Sequence, residues 1–293
     1  MRISSSQMYS NHRNNIAARQ SDYMAVQQEV ATGHRINKLS DDPLQSGRLM
    51  KIKSVERHLD QYTANLRSAK EYLGPSEQAL DESQRLMNRA YTISIQGANA
   101  TTDQTQRAAL SREITTIKER LLTIANSKGS SGQYLFAGHK NDAQPYSTTG
   151  TILTYSGDAN KILVETGPNE TLQVNTLGGQ NFVDAYAELD SLKSNLDSGN
   201  PGAISGVDLE RLKARANTFA TLRGEAGITM KRVIDLEDYN SRRKDELVTQ
   251  GSEIEDVDIA DAMIRLSQSQ TAYQAALQTA SIGFKLSLMD YLR

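Results

Sequence analysis

Histidines and clustered carboxylates are the side chains of this sequence that could do chemistry, as metal ligands or as general acids and bases. The four histidines lie in separate segments, and none belongs to an HExxH or His-x3-His pattern that could hold a metal ion. They are His12, His34, His58 and His139. We therefore expect surface or linker histidines rather than a metal site.

The carboxylates are concentrated in the segment SEIEDVDIAD, before the last helical pattern of the chain. Asp256, Asp258 and Asp261 lack the spacing and the glycine of an EF-hand calcium loop. Negative charge is favourable at the positive end of a helix dipole, and Glu253 and Glu255 fit the same explanation. The pattern indicates a helix start with compensating carboxylates and no bound ligand.

The remaining composition contains no catalytic constellation. The chain of 293 residues has no cysteine, which excludes disulfides, zinc-thiolate sites and thiol nucleophiles. It has no phosphate-cradling glycine loop and no G-x-S-x-G elbow. We predict neither an enzyme nor a cofactor.

Charge and hydropathy exclude two classes of partner. A formal net charge of -2 gives no electrostatic reason to expect nucleic acid or an anionic membrane surface as partner. No apolar run approaches the length of about 18 residues that a membrane span needs. The first residues also lack the apolar core of a secretory signal peptide. We expect a chain that neither binds nucleic acid nor enters a membrane.

Helical patterns dominate the first part of the chain. An apolar heptad predicts a helix from about residue 5 to 32, which Gly33 ends as a left-handed C-cap. A linker that contains Arg35 follows, and Asp42 and Pro43 are then the N-cap and first position of a second helix.

Gln45 is placed to complete a capping box at the start of that second helix. Its heptad continues to residue 73, and Gly74-Pro75 predicts a kink or a restart. Another amphipathic helix is predicted to end near Lys128-Gly129.

The character of the sequence changes between about 131 and 178, where short alternating or apolar runs are separated by turn-rich pieces. The runs are QYLFAG, TILTYSG, KILVE and TLQVN, and they predict a small β-rich domain. Residues 181 to 197 are then helical, and SGNPGAISG is a loop. A long helix from 207 to about 249 follows, which Gly251 closes.

Both terminal helices carry apolar seams with heptad spacing. In the first helix the seam residues are Tyr9, Ile16, Tyr23, Val26 and Val30. In the last helix they are Ile259, Met263, Leu266, Tyr273, Leu277, Ala280, Phe284 and Tyr291. We predict that the two seams pair and that they form the interface to other subunits or partners.

An isolated pair of these helices should be weak, because small or polar residues such as Gln20, Gln270 and Ser287 interrupt the seams. Ordering one residue costs about 1 to 2 kcal/mol, while burying a large aliphatic side chain returns roughly 1.5 to 3 kcal/mol. We therefore predict that both terminal helices are mobile in the monomer and fold together when copies of the chain pack side by side.

Five segments, in this order, resemble the bacterial flagellin family. They are MRISSSQMYSN, TGHRINKLSDDP, IQGANAT, GQYLFAG and SEIEDVDIADAMIRLSQSQTAYQAALQTASIGFKLSLMDYLR. The resemblance implies a mainly α fold, an elongated coiled-coil helical bundle formed by the N- and C-terminal segments, with a small inserted β-rich domain. In that family the paired terminal helices line a tube.

The resemblance and the patterns together divide the chain into three predicted domains. Residues 1–42 and 260–293 form the terminal coiled coil, 43–130 and 206–259 form a helical bundle, and 131–205 form a small outer β-rich domain with one helix.

The resemblance also implies a structural role in the extracellular flagellum, after export without a cleaved signal peptide. GQYLFAG and the C-terminal segment are most similar to the family members that act as adaptors at the hook-filament junction. The implied partners are further copies of the chain in a ring, a hook-associated protein on the hook side, flagellin on the distal side, and an export chaperone before secretion. Two alternatives remain, namely a flagellin filament subunit and an intracellular coiled-coil scaffold.

Overall fold

Long helices form most of the structure. The computed structural model describes residues 5–99, 102–176 and 178–291, and the side chains of residues 7–282 within those ranges. The helices are α1 (Ser5–Thr32), α2 (Pro43–Ala98), α3 (Gln104–Ala125), α4 (Gly179–Ser198), the one-turn α5 (Pro201–Ala203), α6 (Leu209–Glu255) and α7 (Ile259–Tyr291). The predicted mainly α fold, with long helices at both ends of the chain, is confirmed.

Local capping explains where the first two helices end and begin. Gly33 has a φ of 75°, and its N–H donates to the carbonyl of Glu29 at 2.9 Å, so α1 ends as predicted. The N–H of Gln45 donates to Asp42 Oδ1 at 3.0 Å at the start of α2. Only this half of the predicted capping box forms, because Gln45 Oε1 is buried without a hydrogen-bond partner among the described residues.

Helix α2 does not restart at Gly74-Pro75 and continues through Pro75 to Ala98. An internal proline costs about 3 kcal/mol of helix stability. Leu73 and Leu80 are buried on either side of it, and their packing offsets that cost.

Two antiparallel hairpins form the β-rich part. Strands β1 (Tyr146–Thr149) and β2 (Ile152–Tyr155) pair with Tyr146 opposite Tyr155, and strands β3 (Leu163–Gly167) and β4 (Glu170–Gln173) pair with Val164 opposite Leu172. Three of the four predicted runs contain strands. QYLFAG instead forms turns whose central residues are buried in the hydrophobic core, and the polar strand β1 was not predicted.

Two predicted helix boundaries near the long helix α6 are wrong. SGNPGAISG is largely helical, because the buried Asp208 ends a π-helical turn and accepts hydrogen bonds from Ser191 Oγ at 2.9 Å and Asn195 Nδ2 at 2.6 Å. Gly251 does not close α6, which continues to Glu255. Gly251 is instead buried within α6, where it faces Leu49 and Ile52 of α2.

The chain forms two units. The central unit, Leu59–Arg242, contains both clusters of buried hydrophobic side chains, and its core includes Phe182 in ring contact with Phe136 and Phe219 at centroid distances of 4.9 and 5.2 Å. The terminal unit consists of Met1–His58 and Arg243–Arg293. Most of the exposed large hydrophobic side chains in the described part of the chain belong to the terminal unit. The three-domain division proposed from the sequence stays a prediction.

Candidate subunit interface

Helices α1 and α7 pack against each other in antiparallel orientation within the terminal unit. The rings of Tyr23 and Tyr273 are stacked with centroids 6.2 Å apart and an interplanar angle of 6°. About two turns away on each helix, Arg265 Nη1 lies 2.9 Å from Glu29 Oε2. The predicted pairing of the two terminal helices is therefore present in the single chain.

On α1 the face toward α7 follows the predicted heptad. Ile16, Tyr23, Val26 and Val30 are half-buried, whereas Tyr9 is exposed. The partners that Tyr9 would meet in this antiparallel arrangement lie near residue 287, outside the described side chains.

On α7 the face toward α1 uses a different set of residues from the predicted seam. Six of the buried or half-buried positions follow each other in steps of four and three, and Arg265 and Ala272 are half-buried beside them. The six are Ala262, Leu266, Ser269, Tyr273, Ala276 and Ala280. Ala262 is 0% exposed and Ala280 2% exposed, so the most completely buried side chains on this face of α7 are small.

The larger apolar residues of the predicted α7 seam lie beside this contact and are exposed. Ile259 is 50% exposed, Met263 53% and Leu277 42%. Leu266, Tyr273 and Ala280 belong to both the predicted and the observed sets. Phe284 and Tyr291 lie outside the residues whose side chains are described.

Sequence reasoning missed Ala262, Ser269 and Ala276. These residues form a second heptad, one position before Met263, Gln270 and Leu277, and small side chains at heptad spacing give a weaker hydrophobic signal than large ones. A helix that carries small residues at one set of heptad positions and large residues at the adjacent set has two faces available for packing. One faces α1 in the single chain, and the other is uncovered.

The linker joins the ends of α1 and α6 through backbone and side-chain contacts. The Arg35 N–H donates to the Glu255 carbonyl at 2.7 Å, and Arg35 Nη2 donates to the Ile254 carbonyl at 2.9 Å. The Val257 N–H donates to the Gly33 carbonyl at 3.0 Å. These bonds fix where the chain enters and leaves the α1–α7 pair.

The acidic segment between α6 and α7 caps and bridges helices. Asp258 Oδ1 accepts the N–H groups of Ala260 at 2.9 Å and Asp261 at 3.3 Å, which confirms a carboxylate cap at the start of α7. Glu253 and Glu255, however, lie in the last turn of α6 rather than at the start of α7, so this part of the prediction is wrong.

Asp256 is the carboxylate with the most specific surroundings in this segment. The Ser252 hydroxyl donates to it, and His34 Nδ1 lies 3.1 Å from its Oδ1. The Ser252 hydrogen bond and the His34 ring hold the pKa of Asp256 below its usual value. Across the described residues no group of three or more His, Asp or Glu side chains is arranged to hold a metal ion.

Models of known protein families match most of the sequence. The bacterial flagellin N-terminal helical region matches residues 3–141, and the bacterial flagellin C-terminal helical region matches residues 209–292. The chain belongs to the bacterial flagellin family. The family membership predicted from the five sequence segments is confirmed. The two matched regions of this flagellin-family chain include α1 and α7.

Known flagellin-family proteins differ in how much of this chain they align with. The flagellar hook-associated protein 3 of Escherichia coli (strain K12) is 26% identical over 316 aligned residues, which include 99% of each chain. A flagellin of Clostridium tyrobutyricum is 25% identical over 140 residues, which include 48% of this chain and 37% of that flagellin. The similarity therefore runs along the whole chain for the first relative and along part of it for the second.

Solved structures share the fold. The flagellar junction protein FlgL from Legionella pneumophila superposes with a TM-score of 0.60 at 14% sequence identity, covering 71% of this chain and 99% of that one. In the described part of the flagellin-family chain, no helix is long and apolar enough to cross a membrane.

Proposed function

We propose that this flagellin-family chain is a structural adaptor of the bacterial flagellum, which joins a hook-side layer of hook-associated protein to the flagellin filament. The whole-length similarity to flagellar hook-associated protein 3 supports the junction role over that of a filament subunit, because similarity to the C. tyrobutyricum flagellin covers about half of the chain. The adaptor works outside the cell and has no catalytic step.

Its partners in this proposal are further copies of the chain in a ring, the neighbouring hook-associated protein, flagellin, and an export chaperone before secretion. The predicted interface residues of α1 and α7 contact these neighbours in the assembled structure. The observation that carries this proposal is the presence of large apolar side chains on α7 that α1 leaves uncovered, among them Ile259, Met263 and Leu277 beside the α1 contact.

Assembly and folding of the terminal helices are coupled in this proposal. The large α1 side chains in the α1–α7 contact are only half-buried, and four of the six α7 positions that face them are Ala or Ser, so the pair buries little apolar area per residue ordered. Covering the exposed neighbouring side chains adds apolar burial only in the assembly. The pair therefore gains most of its stability when other subunits pack around it.

A deletion strain tests the adaptor role. A strain that lacks this gene should still export flagellin but release it into the medium as unattached monomers, and the full-length gene should restore attachment. Flagellin in the medium is quantified against flagellin in sheared filaments. Intact, attached filaments in the deletion strain would refute the proposed adaptor role.

Amide hydrogen exchange tests the coupling of folding to assembly. On a chain verified as monomeric, residues 5–32 and 260–291 should exchange faster than the central helices by several orders of magnitude. Protection of the terminal helices equal to that of α3 and the middle of α2 would show that they fold without neighbours.

A further inference from the structure

A second helix pair of the terminal unit presents charges of opposite sign on its two outward sides. The first turns of α2 pack on the end of α6, where Leu49 and Leu247 are buried and a Cβ at Gly251 would lie 3.8 Å from both Leu49 and Ile52. Lys53 Nζ lies 2.7 Å from Glu255 Oε2 across the same contact. These contacts fix which side of each helix faces inward.

The outward side of α2 carries a basic and apolar stripe. Leu44, Arg48, Lys51 and Val55 follow in steps of four, three and four, which places them on one face opposite the buried Ser46 and Leu49. Leu44 is 67% exposed and Val55 43% exposed. Within the described residues, Arg48 and Lys51 have no ion-pair partner. We call these four residues the α2 stripe.

The outward side of α6 carries an acidic and polar stripe. Asp245, Thr249 and Glu253 follow in steps of four and are all exposed, on the face opposite Leu247 and Gly251. Among the described residues, the carboxylates of Asp245 and Glu253 have no ion-pair partner either. We call these three residues the α6 stripe.

The two stripes point away from each other and lie at the same level of the helix pair. Because Leu49 and Ile52 pack at Gly251 and Lys53 pairs with Glu255, Lys51 of the α2 stripe is level with Glu253 of the α6 stripe, and Arg48 lies about one turn beyond it. Val55, further along α2, is level with Thr249 because the helices run antiparallel, and Asp245 lies about one turn beyond that level. One copy therefore offers a cation on one side and a carboxylate on the other side at the level of Lys51 and Glu253.

We propose that the α2 stripe of one copy of this chain packs on the α6 stripe of the next copy. The inference rests on the proposed function, in which copies pack side by side, and it names the surfaces that do so. A contact between two different patches is heterologous, and its repetition produces a ring or a helical array rather than a closed pair. Opposite charges fix the order and register of neighbours, and the flanking Leu44 and Val55 supply apolar burial.

Cross-linking in assembled flagella tests the contact, because the natural chain has no cysteine. Val55→Cys and Thr249→Cys in one full-length chain, produced in the deletion strain, should yield a ladder of covalent multimers when isolated flagella are treated with a short bis-maleimide. Each single variant should remain monomeric. Dimers from Val55→Cys alone would show a symmetric contact between two α2 stripes and overturn the inference.

Charge reversal in the same cysteine background tests the electrostatic part. Arg48→Glu with Lys51→Glu should lower the ladder yield about tenfold, because two weak attractions become repulsions. Asp245→Lys with Glu253→Lys should have the same effect. All four substitutions in one chain should restore the yield to within about twofold.

The control reverses two cations on the central unit, Arg211→Glu with Lys213→Glu, which are exposed and lie outside both stripes. It should leave the ladder unchanged, and a loss equal to that of the α2 reversal would show a general effect of net charge and overturn the inference. Equally low yields in the four-fold variant would overturn it as well. If the strain that produces the double-cysteine chain keeps its filaments but gives no ladder, the contact between the stripes is refuted and the adaptor role is not. If the strain lacking the gene keeps attached filaments, the adaptor role itself is refuted.

Discussion

Replacing the three exposed apolar side chains of α7 that belong to the predicted seam should separate assembly from folding. The variant carries Ile259→Ser, Met263→Ser and Leu277→Ser in the full-length chain. All three residues lie beside the α1 contact rather than in it, and all three are about half exposed. The serines remove apolar surface that neighbouring subunits cover in the proposed assembly.

The exposed fractions of these residues give the size of the effect. Together they amount to about one and a half fully exposed side chains, and burying one such side chain contributes roughly 1.5 to 3 kcal/mol. Covering them in the assembly therefore contributes roughly 2 to 4 kcal/mol per subunit, or a factor of about 30 to 1,000 in an association constant.

The assay compares filament retention with the stability of the central unit. The triple variant is produced in the deletion strain, and the flagellin released into the medium is measured against attached filament. We expect nearly complete release. The purified chain should show the thermal unfolding of the central unit unchanged, because α7 belongs to the terminal unit.

A matched control places three serines at exposed polar positions of the same helix. Gln268→Ser, Thr271→Ser and Thr279→Ser lie on the far side of α7 from Leu277. The control should retain filaments. Retention by the apolar triple variant at the level of this control would refute the role of the uncovered α7 side chains.

Three further predictions concern the two units separately. A chain without residues 1–40 and 262–293 should keep a cooperative calorimetric transition, because both hydrophobic clusters belong to the central unit; a featureless trace would contradict the division. Burial raises the pKa of Tyr72, whose hydroxyl donates to the Leu135 carbonyl, to about 12. The stability contributed by the neutral phenol is therefore present below pH 10 and lost as the pH rises toward 12, by on the order of 3 kcal/mol. Urea unfolding of Tyr72→Phe should show a smaller alkaline loss than the natural chain, and an identical loss would refute this. Gly251→Ala should raise the thermal midpoint by the equivalent of about 1 kcal/mol, since the added Cβ meets only ordinary contacts; a lower midpoint would show that the site needs glycine.

Helices with strong local signals could be predicted closely from the sequence. The heptad and the glycine cap place α1 at the observed bounds, and Asp42-Pro43 marks the start of α2. Local signals failed where tertiary packing decided the outcome. Pro75 and Gly251 both suggest an interruption, but each is flanked by buried side chains that keep its helix continuous.

The β-rich part shows the limit of pattern reasoning for short apolar runs. QYLFAG has the composition of a strand, yet Leu135 and Phe136 are buried as turn residues against helices of the central unit. The strand β1 has the polar sequence YSTT and is held by hairpin pairing with β2, so it lacks the apolar or alternating run that marks a strand in the sequence.

Part of the predicted α7 seam is exposed instead of facing α1, and the physical reason for this difference bears on function. Large apolar residues at heptad spacing are expected to face the intrachain partner, because burial of a large side chain contributes most to stability. In α7 the partner α1 instead packs on Ala262, Ala276 and Ala280, which allow close approach but contribute little burial, and leaves Leu277 uncovered. In the proposed assembly, the small residues on the face toward α1 set the register of the pair, and the exposed large residues contribute their burial when a neighbouring subunit covers them.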